Sequence, residues 1–173
     1  MKEVQERRLL GLVRREIRHE IRAAALVSEP RPSLPPPSDL DAEAEVLSAL
    51  LEGHCSVADL APLEARHFFG RFHSEVFEAL TLLSDRASDL ESVAELLTDR
   101  GIVGPVVDEL EQLRDAQPFA SSDRLCQHVR TILDRWRERR FLELLGSIDL
   151  EVRTGVLSVD GAKPRLREFF LKG

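Results

Sequence analysis

Five prolines, at positions 30, 32, 35, 36 and 37, fall within eight residues and set the layout of this chain. Each fixes its own φ and lacks the amide hydrogen that a helix or an inner strand must donate. Residues 28–38 therefore read as an extended, semi-rigid linker. It separates residues 1–27 from residues 39–173, and only the second part is long enough to bury a sizeable core.

The first part predicts one amphipathic helix. Leu10, Val13, Ile17 and Ile21 are spaced by three, four and four residues, which places them on one stripe. Arg7, Arg14, Arg18 and Arg22 line an adjacent stripe, with Arg15 beside it. Residues 1–25 hold seven basic and four acidic side chains, although the whole chain carries a net charge of -7. A narrow apolar seam on a charged helix calls for a cover, and two uses follow. The seam of Leu10, Val13, Ile17 and Ile21 docks on a partner helix, or Arg7, Arg14, Arg15, Arg18 and Arg22 contact nucleic-acid phosphates without sequence choice. Partner docking is the preferred reading, because a bare basic helix keeps its apolar stripe covered.

Beyond the linker the pattern is helical throughout, with no alternation of period two long enough for a strand and no internal repeat. Asp39 is placed to cap a helix over about 40–52 whose Val46, Leu47, Leu50 and Leu51 face a core, with Gly53 at its end. A short helix over 56–61 stops at Pro62. Residues 71–86 carry Phe72, Val76, Phe77, Leu80 and Leu83 on one face. Ser88 and Glu91 read as a capping box for a helix ended by Gly101. Pro105 suits the first turn of a helix over 105–115, and Pro118 breaks the chain again. The longest helix is expected from 122 to 153. Gly155 and Gly161 then allow a turn before a returning helix over 162–171. The expected fold class is all-α: a small helical globule, then an antiparallel hairpin over about 122–171.

Composition excludes several function classes. An acidic chain argues against a nucleic-acid coat over its whole surface. Cys55 and Cys126, the two cysteines, make no disulfide framework. No apolar run approaches the roughly 20 residues that span a bilayer, and the basic N-terminus lacks a signal peptide's apolar run. A cytoplasmic location without membrane contact is expected. The phosphate-cradling loop G-x-x-x-x-G-K-[ST] is missing, since Gly161-Ala-Lys-Pro is the nearest approach. No enzyme activity, cofactor or metal is expected.

Three ordered segments carry a resemblance. Pro37 and the pairs Ala42-Glu43 and Ala44-Glu45 precede an apolar helix. His67-Phe68-Phe69, His73 and Phe77 come next. Ser88-Asp89-Leu90 then opens a helix, and Ala120-Ser121 precedes the long one. In order and spacing, over about Pro37 to Gly155, this resembles the N-terminal domain of the bacterial replicative helicase DnaB. That family has Asp-Phe-Tyr where this chain has His67-Phe68-Phe69, and its Gly-Tyr-Leu stretch is shortened here to Val103-Gly104-Pro105-Val106-Val107. The resemblance implies a helical globule with a hairpin through which copies pair into a collar. It also implies a landing site for primase or loader proteins, and the helicase-binding domain of the primase DnaG is similar in fold.

Three groups of residues invite sharper chemistry. His54-Cys55 and Cys126-x-His128 suggest zinc, but the spacing is wrong for paired ligands and ordinary packing is the plainer account. His73 and Asp89 suggest an acid–base pair, but no nucleophile motif surrounds them; a packed histidine and a helix-start aspartate suffice. Trp136 sits within Arg135-Trp-Arg-Glu-Arg-Arg, the composition of an interface hot spot, or it holds the hairpin together while the arginines are solvated. The expected function is a non-catalytic interaction module of DNA replication, contacting the replicative helicase, the primase or a loader, or forming a homodimer or higher oligomer. Trp136, Arg135, Arg137, Arg140, Phe169 and Phe170 are the candidate contacts on the hairpin. A nucleic-acid-binding accessory protein that uses the N-terminal arginines is the alternative.

Overall fold

A computed structural model describes residues 35–83, 89–115 and 121–172. The N-terminal helix expected over 1–27, with Leu10, Val13, Ile17, Ile21 and its arginines, lies outside the described residues. So does most of the linker. Among the described residues there are six α-helices and two 3₁₀ turns, with no strand. They are α1 Leu40–Leu51, the turns Val57–Leu60 and Ala65–His67, α2 Arg71–Leu83, α3 Leu90–Asp99, α4 Val106–Arg114, α5 Ser122–Arg153 and α6 Val159–Lys172.

Local chemistry sets most of these boundaries. Asp39 accepts from the Ala42 amide at 3.0 Å and starts α1. Ser121 accepts from the Arg124 amide at 3.2 Å and starts α5. The expected cap at Ser88 is corrected to Asp89, which accepts from the Glu91 amide at 3.2 Å. Pro105 stands one position outside α4, not in its first turn, and its carbonyl accepts from the Glu109 amide at 3.0 Å. The return helix begins earlier than expected. Ser158 takes the Gly161 amide on its hydroxyl and the Ala162 amide on its carbonyl, both at 3.1 Å, which draws Gly161 into α6.

α1 is the central rod and packs against α2, α4 and α5. Its Val46, Leu47, Leu50 and Leu51 are buried, as are Val76, Phe77 and Leu80 of α2, Val93 and Leu97 of α3, and Leu110 of α4. Burying each such side chain contributes about 1.5–3 kcal/mol. α5 closes this core with Leu125, Val129 and Ile132. Its remaining length runs back against α6, where Ile148 and Ala162 are buried outside the main cluster. Gly155, at φ 74°, occupies the left-handed conformation that ends α5 and lets the chain reverse. Phe141 packs its ring 5.5 Å from those of Phe169 and Phe170, joining the two rods of the hairpin. No described helix is long and apolar enough to cross a membrane.

Candidate partner-docking site

The globule meets the hairpin at the middle of α5, and one side chain makes the joint. Arg139 donates to the carbonyl of Pro37 at 2.9 Å and to that of His67 at 2.6 Å. Its guanidinium also lies 5.4 Å from the Phe69 ring centre. Burial lowers the affinity of this guanidinium for its proton below the ordinary value, with Glu43 and Glu143 partly offsetting that. Arg139 finds carbonyls here, where its neighbours along α5 find carboxylates.

The loop that Arg139 grips is itself held from below. Glu43 of α1 is buried, at 1% exposure. Its carboxylate accepts from the Phe69 amide at 2.6 Å, the Gly70 amide at 3.1 Å and His73 Nδ1 at 2.9 Å. The Ala-Glu pair, the aromatic triplet and the following histidine, separate marks along the sequence, are one cluster in space. His73 spends its ring on Glu43 while Asp89 caps α3, so these two are not an acid–base couple. His67 closes the second 3₁₀ turn. Its Nδ1 accepts from the Glu64 amide at 2.9 Å, a bond that an aspartate oxygen at the third turn position also makes.

Above this loop lies a cleft of about 550 Å³ between the Pro62–His67 segment and the hairpin. Trp136 forms one wall, half-buried, with the His67 ring edge-on at 4.6 Å and the Arg66 guanidinium 5.7 Å from its centre. Leu133, Leu144 and Phe169 give apolar surface, and Arg66, Arg137, Arg140 and Arg165 stand around it. A second hollow is lined by Trp136 with Arg66, Arg139, Arg140 and Glu143. Burial pushes the His67 imidazole below its ordinary value, helped by Arg66, Arg139 and Arg137 and opposed by Glu64. His67 is thus neutral, with Nδ1 as acceptor and its proton on Nε2.

The candidate residues divide on this map. Trp136, Arg137, Arg140 and Phe169 line the same cleft. Arg135 turns to Glu138 at 2.8 Å and is not part of the lining. Phe169 packs on Phe141, while Phe170 is 69% exposed. Arg66, Arg139 and Arg165 complete the site and were not singled out from sequence, and His67 was marked only as part of the aromatic triplet. Arg139 stood in the arginine collar, but nothing local distinguished it from its neighbours. His54 pairs with Glu52 at 2.9 Å and His128 with Glu45 at 2.7 Å. Among the described residues, no three His, Cys, Asp or Glu side chains are grouped to hold a metal ion.

Comparison with known proteins places this geometry. The family model for the DnaB-like helicase N terminal domain matches residues 35–134, more than half of the chain. Among solved structures, the crystal structure of the N-terminal domain of DnaB helicase from Mycobacterium tuberculosis is similar, with a TM-score of 0.66 and 22% sequence identity. That match covers 79% of this chain and 99% of the other, and at this identity it speaks for the fold. No curated protein matches this chain in sequence.

Proposed function

Because this chain belongs to the DnaB-like helicase N-terminal domain family, we propose that it works as a contact module at the replicative helicase, pairing with itself or receiving primase or a loader through its hairpin. In this helicase the N-terminal domain is a non-catalytic helical domain and the motor is a separate one. The observation that carries the reading is the hairpin's uncovered apolar surface. Leu142, Leu150, Phe170 and Leu171 are 52%, 63%, 69% and 75% exposed. Apolar surface gathered on paired rods favours association with another protein.

Sedimentation of the purified chain, alone and mixed with the replicative helicase and primase of the same organism, tests the proposal. Self-association or a stable complex with either is the expected result. A monomer that ignores both defeats it. Deleting residues 1–30 leaves these contacts intact under this reading. Under the alternative, in which Arg7, Arg14, Arg15, Arg18 and Arg22 hold nucleic acid, the same deletion abolishes a salt-sensitive DNA complex.

A further inference from the structure

The cleft beside Trp136 combines an apolar floor with a cationic edge. Leu133, Trp136, Leu144 and Phe169 supply the floor. Arg66, Arg137, Arg140 and Arg165 stand at the edge of a chain whose net charge is -7. We propose that this cleft takes an amphipathic helix of a partner protein, with an apolar stripe flanked by Asp or Glu side chains. The inference rests on the docking reading above and specifies the partner's chemistry.

Length supports a helix. From Leu133 to Leu144 the wall follows α5 for eleven residues, about 16 Å or three helical turns. That span matches anchors at i, i+3, i+4 and i+7 laid along a groove, and about 550 Å³ of space is within the usual range of a binding pocket.

Charge supports acids on that helix. The edge arginines are held by acids of the chain itself: Arg66 by Glu64 at 2.9 Å, Arg140 by Glu143 at 2.7 Å and Arg165 by Glu151 at 2.6 Å, and Glu64 and Glu168 also line the cleft. Such surface pairs are weak and exchange readily. Arg137 is the least engaged, with Asp134 at 3.6 Å. A guanidinium carries five donors, so a partner carboxylate adds bonds without evicting the resident one. The resident acids do not by themselves separate an acidic helix from a nucleic-acid strand. They screen any anion alike, so the apolar floor makes the choice: a phosphate backbone gains nothing from it.

Trp136 is the only tryptophan in the chain, so its fluorescence reports on the cleft directly. Two helical probe peptides of about 14 residues share one leucine stripe and carry either glutamate or lysine beside it. With the full chain, the glutamate peptide is expected to shift Trp136 emission saturably, about tenfold more tightly than the lysine peptide, and to weaken between about 50 and 300 mM salt. The double variant Arg137→Glu, Arg140→Glu loses about tenfold or more in affinity. Arg130→Glu, exposed on α5 and outside the cleft, leaves binding unchanged. Equal binding of the two peptides overturns the proposal, as does a silent Trp136 with the glutamate peptide at millimolar concentration. A tighter response to a thymidine single strand overturns it in favour of nucleic acid. None of these measurements uses helicase or primase, so a failed cleft and a failed replication partner are told apart.

Discussion

The guanidinium of Arg139 and the main-chain carbonyl of His67 are joined across 2.6 Å, and that bond ties the hairpin to the globule. The same side chain reaches the Pro37 carbonyl at 2.9 Å. Arg139→Met keeps the aliphatic stem but leaves both carbonyls without this donor. A hydrogen bond to a charged group contributes about 1.5–3 kcal/mol, and partial exposure places the combined loss at the lower end of two such bonds, at about 3 kcal/mol. Arg139→Lys recovers little, because an ammonium cannot reproduce the planar fork. Urea unfolding is expected to show a lower midpoint for both variants with an unchanged m-value.

Glu43 tests the lower half of the same joint. Its carboxylate serves two amides and a histidine while only 1% exposed. Glu43→Ala strands the Phe69 and Gly70 amides and opens a cavity, at a cost of about 3–5 kcal/mol. Glu43→Gln keeps one acceptor but turns an amino group toward a donor, which costs about 1–3 kcal/mol. The two variants therefore unfold at different urea midpoints. Equal midpoints refute the three-bond account. Gly70→Ala disturbs the same cluster, since its new Cβ meets His73 Nδ1 at 3.0 Å and a Glu43 oxygen at 3.3 Å.

The sequence showed what is local and concealed what is long-range. Asp39, Ser121 and the prolines act on the next few residues, so α1 and α5 were legible almost to their ends. Ser88 and Asp89 are both competent caps by residue type, and Asp89 caps the helix. Gly161 read as a turn residue, but the Ser158 cap outweighs it within the first turn of α6. The cleft was half legible for the same reason. Trp136, Arg137 and Arg140 lie on one helix, whereas Arg66 and Arg165 arrive from other segments once the hairpin closes. Arg139 finds its two carbonyls 72 and 102 residues away, a distance at which no spacing rule operates. Glu43 was visible as a family mark, yet its partners lie 26 to 30 residues downstream.

His67 makes stability depend on pH with a definite sign. Burial holds its folded-state value below the ordinary 6.5. Below 6.5 the unfolded chain therefore binds the proton that the folded chain resists. Stability from this residue is complete above 6.5 and falls away as pH drops toward the lower folded value. The chain is expected to lose thermal stability as pH falls below about 6.5. His67→Asn keeps an acceptor for the Glu64 amide without titrating, so the variant shows a shallower decline over the same range. An identical decline in both proteins assigns the effect elsewhere.

Gly146 sits inside α5, with nothing within 4 Å of the position a Cβ would take. Glycine in a helix interior costs about 1 kcal/mol relative to alanine. Gly146→Ala is therefore expected to raise stability by about 0.5–1 kcal/mol, read as a higher melting temperature at low protein concentration. A loss of stability there means that the space is already used by contacts between copies.

Phe169 and Phe170 are adjacent, yet they should fail in different assays. The Phe169 ring is half-buried and stacks 5.5 Å from Phe141, whereas Phe170 keeps the same ring distance while 69% exposed. Truncating Phe169 removes packing inside one hairpin, so Phe169→Ala lowers unfolding stability by about 2–3 kcal/mol whatever the protein concentration. Phe170→Ala removes less buried area from the isolated chain and costs it about 1 kcal/mol or less. If the hairpin docks on another protein, Phe170→Ala instead weakens that association about tenfold or more, as an exposed aromatic anchor does. Urea unfolding and sedimentation, run on both variants, give opposite rankings when the hairpin is both a folded unit and a docking surface. The same ranking in both assays confines the two rings to holding α5 and α6 together.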